Sequence, residues 1–410
     1  MENEDQVCKN FGPYEMLEMI GAGAHSKVWK AKHVSTGLFV AVKVIQKSKL
    51  TNTMSIVRFG REIQSLQEID HPLVAKYYFL HEDEHNHYIV MEYVPNGTLL
   101  GHINNRGKVF ESLAKRYFVQ IMTVIDYLHN ERKIFHRDIK AENILLDSHF
   151  NIRFVDFGLS RSFDSEEDGF TSVCGSPCYV SPEMIEGKGY TIASDIWSAG
   201  ILLFSLVYGK LPFHDPNTTT MLQMICKADL QIPYDPFGPL ADLISKMLVK
   251  NPKDRITLNG IKNHQWLAKG ELHNMIAHTK SIVDTNMNSE IIQQMANYGH
   301  IGFIPNEEMD DPNALFKILQ REKITELIQT TSRVKDTNRT PEPIMKIIPQ
   351  VMTQQGINQG KSRQPMVKVP KETVSVKLDP TYPRPKLSHS FMGQRSSSSN
   401  NIMKTDFNIF

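Results

Sequence analysis

His136-Arg137-Asp138-Ile139-Lys140-Ala141-Glu142-Asn143, followed after ten intervening residues by Phe154-Val155-Asp156-Phe157-Gly158, decides the reading of this chain. The first segment comes after a stretch of helical periodicity, Leu113 to His129, and before a short apolar run, Ile144 to Leu146, that reads as a strand. Charged groups and an amide thus crowd one short loop. Asp138 can orient a hydroxyl and accept its proton. Lys140 can neutralise a transferring phosphoryl group, and the Asn143 amide oxygen is a suitable ligand for Mg²⁺. In the second segment a carboxylate, Asp156, stands at a strand end beside a glycine, again a position suited to a hard cation. Each segment alone also fits a pair of ordinary polar turns.

Working outward toward the N-terminus, Tyr14 to Ile20, Lys27 to His33 and Leu38 to Ile45 read as three strands separated by Gly-rich and Thr-Gly turns. Ile20 leads into Gly21-Ala22-Gly23-Ala24-His25-Ser26-Lys27-Val28. Glycines there let backbone N–H groups approach phosphate oxygens closely, although a plain hairpin turn explains the same residues. No Gly-Lys-Ser/Thr follows, so this is not a Walker A loop. In Val40-Ala41-Val42-Lys43 a lysine lies among apolar strand neighbours. If buried it needs an anion, either Glu62 on the helix expected over Ile56 to Ile69 or the phosphates of a nucleotide; taken alone it fits an exposed strand position. Val74 to Phe79 and His87 to Glu92 read as two further strands. Beyond Gly97 the pattern turns helical, with Ala193 to Tyr208, Thr218 to Lys227 and Leu240 to Leu248 following Leu113 to His129. The expected fold is α+β, a five-stranded lobe with one main helix followed by a mostly helical lobe.

The chain has 410 residues, 40% of them hydrophobic, and 46 basic side chains against 45 acidic ones. That balance excludes a wholly basic nucleic-acid binder, so no nucleic-acid partner is expected. The charge is unevenly placed. From Ile324 onward there are 13 basic residues against 6 acidic, in a stretch rich in Pro, Gln, Ser and Thr that reads as a disordered basic tail over 324–410. Such a tail suits an acidic membrane or protein surface, although most charge runs are simply solvated. Four cysteines without metal-ligand spacing suggest free thiols. The acidic N-terminus is unlike a signal peptide, and the longest apolar run, Ile196 to Tyr208, is too short to span a bilayer. A cytoplasmic location is the expectation.

The ordered set of motifs resembles the eukaryotic protein kinase family. The glycine-rich loop, Lys43, Glu62, the His-Arg-Asp loop with Asn143, Asp156-Phe-Gly and Ser181-Pro182-Glu183 stand in that family's order and at its spacings, followed by Asp195 and by Arg255 in Asn-Pro-Lys-Asp-Arg. The resemblance covers roughly Tyr14 to Leu267, expected as a bilobal kinase domain over 14–267. It implies that Gly21 to Val28 cover ATP phosphates, that Lys43 contacts them and pairs with Glu62, and that the backbone of Glu92 and Val94 meets the adenine beside a gatekeeper, Met91. It implies Asn143 and Asp156 as Mg²⁺ ligands, Asp138 and Lys140 as the groups acting on acceptor and phosphoryl, and Glu183 paired with Arg255. Lys140, two residues after Asp138, follows the Ser/Thr pattern, as does Ser176. Protein hydroxyls of Ser or Thr are therefore the expected acceptors.

Arg137 beside Asp138 implies activation by a phosphate on the following loop, placed by an upstream kinase at Thr171 or Ser172. Two positions depart from the family: Ser26 replaces the third loop glycine, and Thr98 stands where many kinases that prefer basic substrates have Glu. Glu142 remains available to a basic substrate side chain. Ile291, Ile292, Met295, Tyr298 and Gly299, then a helix over Asn313 to Arg321, resemble the ubiquitin-associated-like segment of AMP-activated-kinase-related enzymes, expected over 282–323. With Cys174-Gly-Ser-Pro this points to the calcium/calmodulin-dependent kinase group, AMP-activated-kinase-related branch. The alternatives are a pseudokinase scaffold and an adaptor whose tail binds membrane or cytoskeleton.

Overall fold

Alternating apolar residues over the first hundred positions give strands with two differently used faces, and the structure, a computed structural model, builds one antiparallel sheet from them. Residues 10–23, 26–163, 176–233, 238–284, 288–300 and 311–331 are described. The sheet runs β1 (Asn10–Phe11), β2 (Tyr14–Ala22), β3 (Ser26–His33), β4 (Phe39–Gln46), then β6 (Asn86–Glu92) and finally β5 (Tyr77–Glu82) at the far edge. These are the five expected strands with a two-residue strand added at one edge. The β3–β4 register sets Val28 opposite Lys43, and the β2–β3 register sets Gly21 opposite Val28. The glycine-rich turn and the strand lysine therefore share one end of the sheet.

The strand expected at Val74 begins three residues later. Val74 instead makes an isolated bridge to Phe154, and the ladder with β6 starts at Tyr77 opposite Met91. A mainly apolar run, Leu73 to Tyr78, broken only by Lys76, conceals that change of partner. Helix α1 (Thr53–Glu68) starts with a capping box between Asn52 and Ser55. Its well-buried residues are Glu62 and Leu66, and Phe59 and Ile63 pack partly buried against the core beside them.

The second lobe holds α2 (Leu99–Arg106), α3 (Glu111–Asp126), the short strands β7 (Ile134–Phe135), β8 (Ile144–Leu146), β9 (Ile152–Phe154) and β10 (Arg161–Ser162), then α4 (Pro182–Ile185), α5 (Ile192–Tyr208), α6 (Thr218–Lys227), α7 (Pro239–Met247) and α8 (Leu258–Lys262). The helix expected through His129 is α-helical only to Asp126; a π-type turn over Tyr127–Arg132 carries it on. Helix α5 is apolar on every side and buried from Ser194 to Leu206, as a helix at the centre of a lobe must be. At Gly200 an added Cβ would lie 2.9 Å from the Met247 Cβ, so α5 and α7 approach as closely as their backbones allow.

Three helices follow: α9 (Glu271–Asp284), α10 (Asn288–Asn297) and α11 (Asp311–Thr331). Residues 324–331, placed by the sequence reading in a disordered tail, are instead the last turns of α11. Ile324 and Ile328 there are buried, and their spacing continues the apolar face of the preceding turns. The remainder of the expected tail, from 332, lies outside the described residues. None of the described helices is long and apolar enough to cross a membrane.

Candidate active site

The loop between β7 and β8 owes its shape to a buried carboxylate outside it. Asp195, in the first turn of α5, accepts the backbone N–H of His136 at 3.1 Å and of Arg137 at 3.1 Å, together with the His129 ring at 2.7 Å and the Tyr190 hydroxyl. Burial pushes the Asp195 carboxyl up, and the His129 hydrogen bond and neighbouring imidazoles outweigh it and hold it low. Arg137 has φ 69° and Asp156 φ 64°, a region costly for non-glycine residues. Strain of this kind persists where surrounding bonds over-determine the backbone.

Within that loop the Asp138 carboxylate accepts the Asn143 side-chain amide at 2.8 Å and lies 2.7 Å from the Lys140 Nζ. Lys140 also donates to the Ser176 hydroxyl at 2.9 Å, while the Ser176 backbone N–H reaches Asp138 at 3.3 Å. Ser176 thus meets both groups, the lysine through its hydroxyl and the aspartate through its backbone N–H. The Asn143 Nδ2 is committed to the Asp138 carboxylate and carbonyl, so its other amide atom is an oxygen acceptor.

Facing them, Lys43 and Glu62 form a side-chain ion pair from β4 to α1. Burial would lower the Lys43 pKa, but Glu62 and then Asp156 raise it above its ordinary value, and the ammonium stays charged. For Asp156 burial acts upward, while Lys43 and the Gly158 N–H bring the carboxyl below its ordinary value. Gly158 has a steric reason to be glycine: an added Cβ would sit 3.1 Å from the Asp156 Oδ1 and 3.6 Å from the Glu62 Oε2. Phe157 packs on the His136 ring at 4.9 Å between centroids, and the Ser160 hydroxyl donates to Ser65 of α1 at 2.9 Å. Asp156 is thereby anchored to α1 on one side and to the His136 loop on the other.

The structure therefore assembles Lys43, Glu62, Asp138, Lys140, Asn143 and Asp156. Along the glycine-rich turn, Gly23 closes a backbone bond to the Ser26 carbonyl at 2.8 Å, and Ile20, Gly21, Ala22, Lys27 and Val28 belong to β2 and β3. Ala24 and His25 lie outside the described residues, as do the expected phosphorylation positions Thr171 and Ser172. Glu183 and Arg255 form the expected buried pair with two parallel bonds of 2.8 Å. Thr98 caps α2 by accepting the Gly101 N–H at 3.0 Å, a structural use of the position. Glu142 has a buried Oε2 without a hydrogen-bond partner among the described residues, and burial raises its carboxyl.

At the segment joining the lobes, Val94 is buried and Met91 packs against the main core. Sequence reasoning assigned Glu92 a backbone role only. Its N–H goes to the Lys76 carbonyl at 2.8 Å, and its carboxylate is buried between two guanidiniums, Arg153 at 3.0 Å and Arg321 at 2.6 Å. Burial would raise the Glu92 pKa, and Arg321 followed by Arg153 brings it below the ordinary value. Arg153 carried a signal in the sequence, a lone cation in the apolar run Ile152 to Val155. Arg321 carried none, because its partner is 229 positions away.

Comparison with known proteins agrees with this geometry. The protein kinase domain family matches residues 14–267. CBL-interacting protein kinase 11 of Oryza sativa subsp. japonica is 40% identical over 261 residues, 63% of this chain and 52% of that protein. CBL-interacting serine/threonine-protein kinase 12 of Arabidopsis thaliana is 39% identical over 265 residues, 64% and 54% of the two chains. The SNF1-related protein kinase catalytic subunit alpha KIN12 of Arabidopsis thaliana is 38% identical over 299 residues, 72% and 60%. The chain spans little more than half the length of the first two relatives. With a match over most of its length, on residues that converge as described, the chain belongs to the protein kinase domain family.

Proposed function

We propose that this chain transfers the γ-phosphoryl group of ATP to Ser and Thr hydroxyls of protein substrates, with Mg²⁺ as the metal. The observation that carries this reading is the contact of Asp138, Lys140, Asn143 and Ser176 within one hydrogen-bonded group. The acceptor oxygen forms a bond to the γ-phosphorus as the bond to the ADP oxygen breaks, and the acceptor proton passes to Asp138. Lys140 offsets charge on the moving group and Lys43 holds the remaining phosphates; positioning and electrostatics supply the rate. An ionised Asp156 and the Asn143 amide oxygen are hard oxygen donors, a set suited to Mg²⁺. When bound, the metal neutralises phosphate charge. Lys43, Asp138, Asn143 and Asp156 are all present and assembled, which favours catalysis over a scaffold role.

The family resemblance and Arg137 support activation by an upstream kinase at Thr171 or Ser172; four cysteines without paired spacing support a reducing, cytoplasmic site of action, and the basic excess from Ile324 onward supports a tail offered to acidic membrane. The buried, unpartnered Glu142 oxygen supports a preference for a basic residue near the acceptor. The burial of Ile291 and Met295, two of the residues that carry the resemblance, supports a ubiquitin-associated-like segment over 282–323. Radiolabelled ATP with generic peptides tests the reading. Wild type labels Ser and Thr, Asp156→Ala does not, and a Thr171/Ser172 double Ala variant has reduced kcat/KM. Absence of labelling by a folded, phosphorylated wild type refutes catalysis, and an arginine-scanned peptide set that shows no preference refutes the role of Glu142.

A further inference from the structure

Helix α11 touches both lobes. Ile318 joins the small-lobe cluster of Tyr78, Tyr88 and Val90, whereas Leu315, Leu319 and Ile328 belong to the main core. Between those contacts Arg321 enters the protein. Its Nε donates to the Glu92 Oε2 at 2.6 Å and its Nη2 to the Val74 carbonyl. Arg153 grips the other Glu92 oxygen at 3.0 Å while bonding Asp147 at 2.9 Å and the Thr325 hydroxyl of α11 at 3.0 Å. Two guanidiniums thus meet two carboxylates, all buried, and the shared member is Glu92 in the segment that joins the lobes.

We infer that Arg321 is a positioning residue of the nucleotide site, holding the Glu92–Val94 segment from behind so that its backbone is set for the adenine. This rests on the kinase reading above. Two buried guanidiniums, each bonded to a different oxygen of the Glu92 carboxylate, fix its direction as well as its position. Without Arg321, the Glu92 Oε2 keeps only the Lys76 N–H at 3.1 Å, and the Val74 carbonyl loses a donor. The segment is then free to shift against the adenine, while Asp138, Lys140 and Asn143, on a separate loop held by Asp195, keep their places. The consequence is a split: nucleotide affinity falls and turnover at saturation does not.

The test uses the full chain and a generic Ser/Thr peptide. Arg321→Met should raise the KM for ATP about tenfold and leave kcat within about twofold, with Arg321→Lys in between because it keeps charge without the fork. In a Glu92→Gln background the further effect of Arg321→Met should shrink to less than about twofold, since the pair is already broken. Should Arg321→Met not fold, Thr325→Val, which removes one Arg153 bond and no charge, should raise the KM in the same direction by a smaller factor. An unchanged KM in the folded variants overturns the inference. So does an increase in kcat/KM, which would make α11 a brake. If wild type transfers no phosphate, the kinase reading fails separately, and the Kd of a fluorescent ATP analogue judges the inference: about tenfold weaker in Arg321→Met sustains it, and equal affinity overturns it.

Discussion

Lowering the pH should destabilise this protein through one buried imidazole. His71 lies in the connection between α1 and β5, with its Nδ1 accepting the Leu73 N–H at 3.1 Å. Burial, followed by the positive charges of Arg321 and Arg153, lowers its pKa to about 3 from an ordinary 6.5. The folded state therefore keeps His71 neutral while the unfolded chain binds a proton between these values, so stability rises with pH across that window and falls as pH drops through it. Each unit of titration difference is worth about 1.4 kcal/mol. Going from pH 7 to pH 5 crosses the upper part of the window and removes roughly 2 kcal/mol, a sizeable share of the ~5–15 kcal/mol of ordinary folding stability. In a domain of this size that is a fall in Tm of about 4–8 °C. Asparagine offers an oxygen to the Leu73 N–H and carries no titrating group, so His71→Asn isolates the effect. In thermal melts at pH 7 and pH 5, wild type should lose about 4–8 °C more than His71→Asn. Equal losses in the two proteins would refute the assignment.

The Glu183–Arg255 pair should behave as a buried ion pair: Arg255→Met strands a carboxylate and costs about 3–5 kcal/mol, and the double variant Glu183→Leu/Arg255→Met recovers part of that in denaturant melts. Gly200→Ala should cost about 1–3 kcal/mol by forcing α5 from α7; a neutral result would show that the Met247 backbone moves aside without cost. Lys43→Met should reduce kcat/KM on the order of 10²–10³-fold, the scale for removing one preorganised electrostatic group. A loss smaller than about tenfold in that peptide assay would place Lys43 outside the phosphate-binding set.

The part of the fold that was legible in the sequence is the part determined by short-range pattern. Period-two alternation gave β2 to β4 and β6, and helical periodicity gave α1 and α5, although α1 starts at Thr53, three residues before the expected Ile56, because its polar capping turn carries no apolar periodicity. The site residues were legible because loop chemistry at fixed separation leaves few alternatives: Asp138, Lys140 and Asn143 meet across five positions. What could not be read depends on distant partners. The onset of β5 was obscured because Val74 pairs with Phe154 instead of β6. The extent of α11 was concealed by tail-like composition, although Ile324 and Ile328 kept helical spacing. The carboxylate of Glu92 had no role in the sequence reading, because its partners Arg153 and Arg321 come from two other elements.

The central claim is that Asp138 receives the acceptor proton during phosphoryl transfer. Single-turnover transfer from radiolabelled ATP to a serine peptide, with Mg²⁺ and saturating nucleotide, tests it most directly when wild type is compared with Asp138→Asn. The amide keeps the side chain's shape but cannot take up a proton. The account predicts normal nucleotide binding by the variant with transfer slowed by a factor on the order of 10²–10⁴. Transfer at the wild-type rate would contradict it.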